Sequence, residues 1–169
     1  MGYTYYNTLG ELFTGRKLPK NGEAAFRKAI EIDPGSSYAY HRLGSLLTTQ
    51  NRAQEAEALY RQAIEKCSRP ASAYTTLGGI LRDQNHLQEA EAMYQHAILI
   101  EPDSIDAYNY LGLLLTEQKR FQEAEVIYRQ AIEKNLENDF GAYSGLASLL
   151  RKQNRHEEAK AIMQKFYGE

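Results

Sequence analysis

This chain of 169 residues has a single cysteine, Cys67, and so cannot form an internal disulfide. No apolar run approaches the ~18 to 20 residues that a membrane-spanning helix needs, and nothing resembles a secretory signal. The opening MGYTYY lacks the Ser or Thr of a myristoylation signal, so Gly2 is not read as a lipid site. Twenty basic against 22 acidic side chains leave a net charge of −2, and there is no basic tail. No overall field therefore draws the protein to nucleic acid or an anionic membrane. The expectation is a cytoplasmic protein in a reducing setting, with neither a nucleic-acid partner nor membrane insertion. Catalytic groupings are missing as well. His41, His86, His96 and His156 are not spaced as paired ligands on a helix, Cys67 has no second cysteine near it, and no nucleophile is paired with a base. No metal, no cofactor and no enzymatic activity is expected.

What the chain does have is a period. Tyr74, Leu77, Gly78, Leu81, Ala90, Tyr94 and Ala97 recur 34 residues earlier as Tyr40, Leu43, Gly44, Leu47, Ala56, Tyr60 and Ala63. They recur 34 residues later as Tyr108, Leu111, Gly112, Leu115, Ala124, Tyr128 and Ala131. The heptapeptide YRQAIEK occurs twice unchanged, at residues 60–66 and 128–134. Five units fill the chain, at about 3–36, 37–70, 71–104, 105–138 and 140–169, which predicts one repeat array over 1–169 and leaves almost no room for a second domain. Within each unit, apolar residues at intervals of three and four predict two amphipathic helices. Gly44, Gly78 and Gly112 are expected to face Ala56, Ala90 and Ala124, so that the two helices approach closely.

The connections follow the same logic. Gln50-Asn51, Gln84-Asn85 and Gln153-Asn154 fall between the paired helices, and Asn tolerates the left-handed conformation that ends a helix; Lys119 stands in one such turn instead. Between units, Asp33-Pro34-Gly35-Ser36 and Glu101-Pro102-Asp103-Ser104 are expected to stop one helix and cap the next. In the first unit Pro19 opens the second helix, and Gly22 replaces the usual Ala at a cost of roughly 1 kcal/mol in helix propensity. That end is expected to fray first. Before the last unit, NLENDF carries one extra residue, which predicts an altered twist there. The recurring pairs Glu55/Glu57, Glu89/Glu91 and Glu123/Glu125 read as a solvated first helical turn that suits the helix dipole. The tyrosines at the repeating positions read as core, because no basic residues interleave with them as they would in a base-stacking surface.

These residues and their spacing resemble the tetratricopeptide repeat family, whose unit has 34 residues with large, small and aromatic positions at these offsets. The resemblance covers nearly the whole chain and implies an all-α fold, an α-solenoid of helical hairpins forming a right-handed superhelix. It further implies that the first helices line an inner groove in which an extended peptide or a partner's helix lies. Carried over by position, the groove residues are Tyr38, His41, Arg42, Ser45, Thr75, Arg82, Asn109 and Tyr110, with Tyr38 and Tyr110 as aromatic anchors. The lysines and asparagines with which some members clamp the C-terminal carboxylate of heat-shock chaperones are missing, since the starting pairs are Asn7/Glu11, His41/Ser45 and Thr75/Gly79. So is the asparagine ladder of the superhelix attached to O-linked N-acetylglucosamine transferases, because Thr8, Arg42, Thr76, Tyr110 and Gly145 stand there.

The resemblance implies a non-catalytic scaffold with a protein or peptide partner. The last helix still presents Ile162, Met163 and Phe166 on one face with no later helix to cover them. This suggests self-association through that helix into a homo-oligomer, or a recognition arm cut from a larger enzyme.

Overall fold

The structure, a computed structural model, describes residues 2–134 and 140–168. Among them the chain is all helical, with ten helices and no strand. They are α1 Gly2–Gly15, α2 Pro19–Ile32, α3 Ser37–Thr49, α4 Ala53–Lys66, α5 Ala71–Asp83, α6 Leu87–Ile100, α7 Ile105–Glu117, α8 Phe121–Glu133, α9 Phe140–Lys152 and α10 His156–Tyr167. This is the α-solenoid class of successive helical hairpins. The helices gather into two compact units, Met1–Ile80 and Leu81–Glu169. In the first, α1 packs on α2, α2 on α3 and α3 on α4; in the second, α6 packs on α7, α7 on α8 and on α9, α8 on α9, and α9 on α10. The extra residue expected in NLENDF falls on 135–139, outside the described residues, and the altered twist expected there falls with it.

The hairpin turns share one geometry. Lys17, Asn51, Asn85, Lys119 and Asn154 all have φ between 57° and 64°. At each, the following residue returns its N–H to a carbonyl five positions back, as in Arg52 to Leu47 (3.0 Å) and Arg120 to Leu115 (2.9 Å). These are Schellman closures, and they satisfy carbonyls that a helix end leaves free. Lys17 and Lys119 adopt the left-handed conformation without the local hydrogen bonding that eases it for Asn. Pro19 opens α2 as its residue type predicts. The serine caps do not form. Ser36 and Ser104 stand at the N-cap positions of α3 and α7, but neither side chain bonds a helix amide. Ser36 Oγ instead donates to the Tyr3 hydroxyl, 33 residues earlier.

Where paired helices approach closely, an aromatic ring sits directly on a glycine. A Cβ on Gly44 would lie 2.3 Å from the Tyr60 ring, and one on Gly112 would lie 2.6 Å from the Tyr128 ring. Tyr128 is also met by Gly145 of α9 (2.5 Å), and Phe26 is met by Gly10 (2.5 Å). Tyr60, Tyr94 and Phe26 are among the largest fully buried side chains, and Ala56, Ala90 and Ala124 are fully buried beside them in sequence. Gly22 is also held by space, since a Cβ there would stand 2.7 Å from Thr14 Oγ1.

Arginines at the starts of second helices tie one hairpin to the next. Arg52 Nη1 and Nη2 donate to Glu23 (2.5 and 3.1 Å), while its Nε and Nη2 donate to Glu55 (2.6 and 2.7 Å). Arg120 holds Glu91 and Glu123 in the same way, and Arg155 holds Glu125 and Glu158. The Glu91 and Glu125 reading therefore needs correction: they are half-buried partners of a neighbouring hairpin, not solvated helix ends. The hydrogen bonds from Arg52 hold Glu23 below the ordinary carboxylate value of 4.5, and those from Arg155 do the same for Glu125, against burial that pushes the other way.

Among the described residues, no helix is long and apolar enough to cross a membrane. Cys67 is buried and free, and burial pushes its thiol up, away from the reactive thiolate.

Gly44→Ala should destabilise the chain by about 1–3 kcal/mol, because the Tyr60 ring must move. Gly15→Ala, whose Cβ meets nothing within 4 Å, should leave the urea midpoint unchanged or raise it. Because Glu23 and Glu125 titrate lower folded than unfolded, their contribution is complete above pH 4.5 and is lost as pH falls through their depressed values. Arg52→Ala should lower the urea midpoint at neutral pH and have little effect once the carboxylates are protonated, read from urea unfolding along a pH series.

Candidate functional site

Positions along a first helix that differ by three, four or seven residues fall on one face. In the first unit that face is visible as a cluster. The Tyr38 hydroxyl donates to Glu11 Oε1, and Arg42 Nε lies 3.6 Å from the same carboxylate oxygen. Tyr38 and Arg42 come from α3 and Glu11 from α1, so side chains of two successive first helices meet. The bond to Glu11 raises the Tyr38 phenol. Beside the cluster lies a hollow of about 90 Å³, lined by Thr14, Phe26, Arg42, Ser45, Leu46 and Thr49. Thr14 and Thr49 spend their hydroxyls on the carbonyls of Gly10 and Leu46 (both 2.8 Å). The hollow is too small for more than one short side chain.

Other sequence-predicted residues take different places. His41 and Ser45 are exposed, whereas Thr75 is buried and donates its hydroxyl to Ala71 O at 3.1 Å. A short β-branched side chain here turns back on its own helix. In the second unit Tyr110 remains 42% exposed while its ring stacks on buried Tyr94, with centroids 5.8 Å apart. Burial pushes the Tyr94 phenol up to about 12. Asn109 is half-buried on the same helix. Arg82 is half-buried and donates to Asp83 at 3.1 Å. The four histidines are exposed, and among the described residues no group of His, Cys, Asp and Glu could hold a metal.

Two features were not expected from the sequence. Glu11 quenches Arg42, and the signal for it was its own place in the period, one unit before Ser45. Asn7 occupies the position of His41 one unit earlier, yet it is buried and neither atom of its amide has a hydrogen-bond partner. Leu113, a wall position by its place in the repeat, stands 39% exposed on the same helix as Tyr110. The proposed self-association face is also partly spent. Ile162, Met163 and Phe166 are half-buried, and the Phe166 ring packs on Phe140 and Tyr143 of α9 at 5.6 and 5.2 Å. The apolar stripe of α10 thus turns onto its own hairpin partner.

Family profiles described as tetratricopeptide repeat match residues 3–36, 25–58, 81–139 and 140–168. No curated protein matches the chain at a significant level. Among solved structures, pilF of Pseudomonas aeruginosa aligns with a TM-score of 0.81 at 25% identity, over 99% of this chain and 76% of that one. MamA aligns with a TM-score of 0.76 at 21% identity, over 98% and 90%. YrrB, described as a TPR protein with an unusual peptide-binding site, aligns with a TM-score of 0.67 at 18% identity, over 95% and 82%.

Proposed function

Because the chain belongs to the tetratricopeptide repeat family, we propose that it is a non-catalytic scaffold holding an extended segment of a partner protein along the wall of its first helices. The observation that carries this reading is the meeting of Glu11, Tyr38 and Arg42 on one face from two successive first helices. A ligand lying across that face meets side chains already placed by the fold, so the conformational cost of binding falls on the ligand alone. Tyr110 gives the second unit the same kind of surface: an aromatic held by the ring behind it and still open to solvent. Peptide binding is compatible with this fold, as the description of YrrB shows for that protein.

The test is site-directed photocrosslinking in the source cell. A photoreactive residue placed at Ser45 or Leu113, on first helices, should trap the same partner. The same residue at Gln62 or Gln130, exposed on second helices, should trap it at least about tenfold less. Equal or stronger trapping from the second helices would move the working surface off the wall.

A further inference from the structure

Along α7, Asp106, Tyr110, Leu113 and Glu117 follow one another at intervals of four, three and four, so they form a single stripe. All four are exposed. The stripe is ordered by chemistry, with a carboxylate at each end and an aromatic-aliphatic pair between. Among the described residues no cation comes within ion-pair distance of Asp106 or Glu117. Arg82 lies near enough to Glu117 to feel its charge but gives its hydrogen bond to Asp83.

The two acids differ in what local physics explains. Asp106 is in the first turn of α7, where the helix dipole favours negative charge. Glu117 is the last residue of the helix, where the dipole disfavours it, and that turn has no basic residue to offset the cost. Glu117 is thus placed against its own helix, while Tyr110 is fixed by the stack on Tyr94. An apolar pair left largely in water and two carboxylates without an ion-pair partner are complementary to a ligand with the reverse pattern.

We infer that the α7 stripe selects an extended partner segment with two alternate apolar residues flanked by basic ones: basic, any, apolar, any, apolar, any, basic. This rests on the wall reading above and names the partner's chemistry. The lengths agree. Eleven helical residues separate the acids by about 16.5 Å. Six strand steps span about 20 Å with every second side chain on one face, and flexible lysine stems absorb the difference.

The probe is an acetylated and amidated peptide, Lys-Ser-Leu-Ser-Leu-Ser-Lys, carrying a fluorescein through a glycine linker. Its counterpart has Glu for both Lys. Anisotropy titrations use the full chain, the Asp106→Lys/Glu117→Lys variant, and the Tyr110→Ala/Leu113→Ala variant, each first shown by circular dichroism to be as helical as the natural chain. The basic probe should bind the natural chain roughly tenfold tighter than the acidic probe, should weaken as salt rises, and should lose its advantage to the acidic probe in the charge-reversed variant. A basic probe unbound at millimolar concentration, or a preference unchanged by charge reversal, overturns the inference. If charge reversal has no effect but Tyr110→Ala/Leu113→Ala weakens both probes, the wall reading stands and only the charge selection fails. Binding indifferent to both variants removes the two readings together.

Discussion

The structure depends on a ring pressed against a glycine. Tyr60 on Gly44, Tyr128 on Gly112 and Gly145, and Phe26 on Gly10 leave no room for a Cβ, so the spacing of paired helices is set by the thickness of one aromatic ring. Interiors are close-packed, and such a contact does not stretch to admit another methyl group. The consequence reaches the surface. Phe26, Tyr60 and Tyr128 each press the first helix of their hairpin from behind, and the side chains on the opposite face of that first helix are displayed at fixed places. In the second unit the two roles touch, because Tyr94 is the buried ring on which exposed Tyr110 is stacked.

Polar interactions supply register rather than bulk stability. Arg52 spans two carboxylates of successive hairpins, and Arg120 and Arg155 repeat the arrangement. Each guanidinium is partly exposed, so its net worth is modest, but its planar fork accepts few alternative geometries. It also sits directly after a left-handed turn residue, which links the closing of one hairpin to its docking on the previous one. Hydrophobic burial brings the helices together, and these forks limit how they slide.

The sequence made local and periodic features legible. A period of 34 placed ten helices, left-handed Asn51, Asn85 and Asn154 ended the first helices as their residue type allows, and Tyr40, Tyr60, Tyr94, Tyr108 and Tyr128 are buried as expected, whereas Tyr74 is only half-buried. What it hid were choices of partner between residues far apart in the chain. Ser36 has the chemistry of a cap, yet the Tyr3 hydroxyl takes it. Glu91 and Glu125 have the chemistry of a helix start, yet Arg120 and Arg155 reach them from 29 and 30 residues away. Thr75 has the position of a wall residue, yet its hydroxyl turns inward. Position in a repeat gives a side chain's direction, while the partner it finds depends on lengths and rotamers of neighbours that the period does not carry.

Whether the first helices are the working surface is tested most directly by hydrogen–deuterium exchange of the full chain with and without the photocrosslinked partner. Added protection in α3 and α7, with α4 and α8 unchanged, is the predicted result. Protection confined to α4, α6 and α8 would contradict it and place the partner on the second helices.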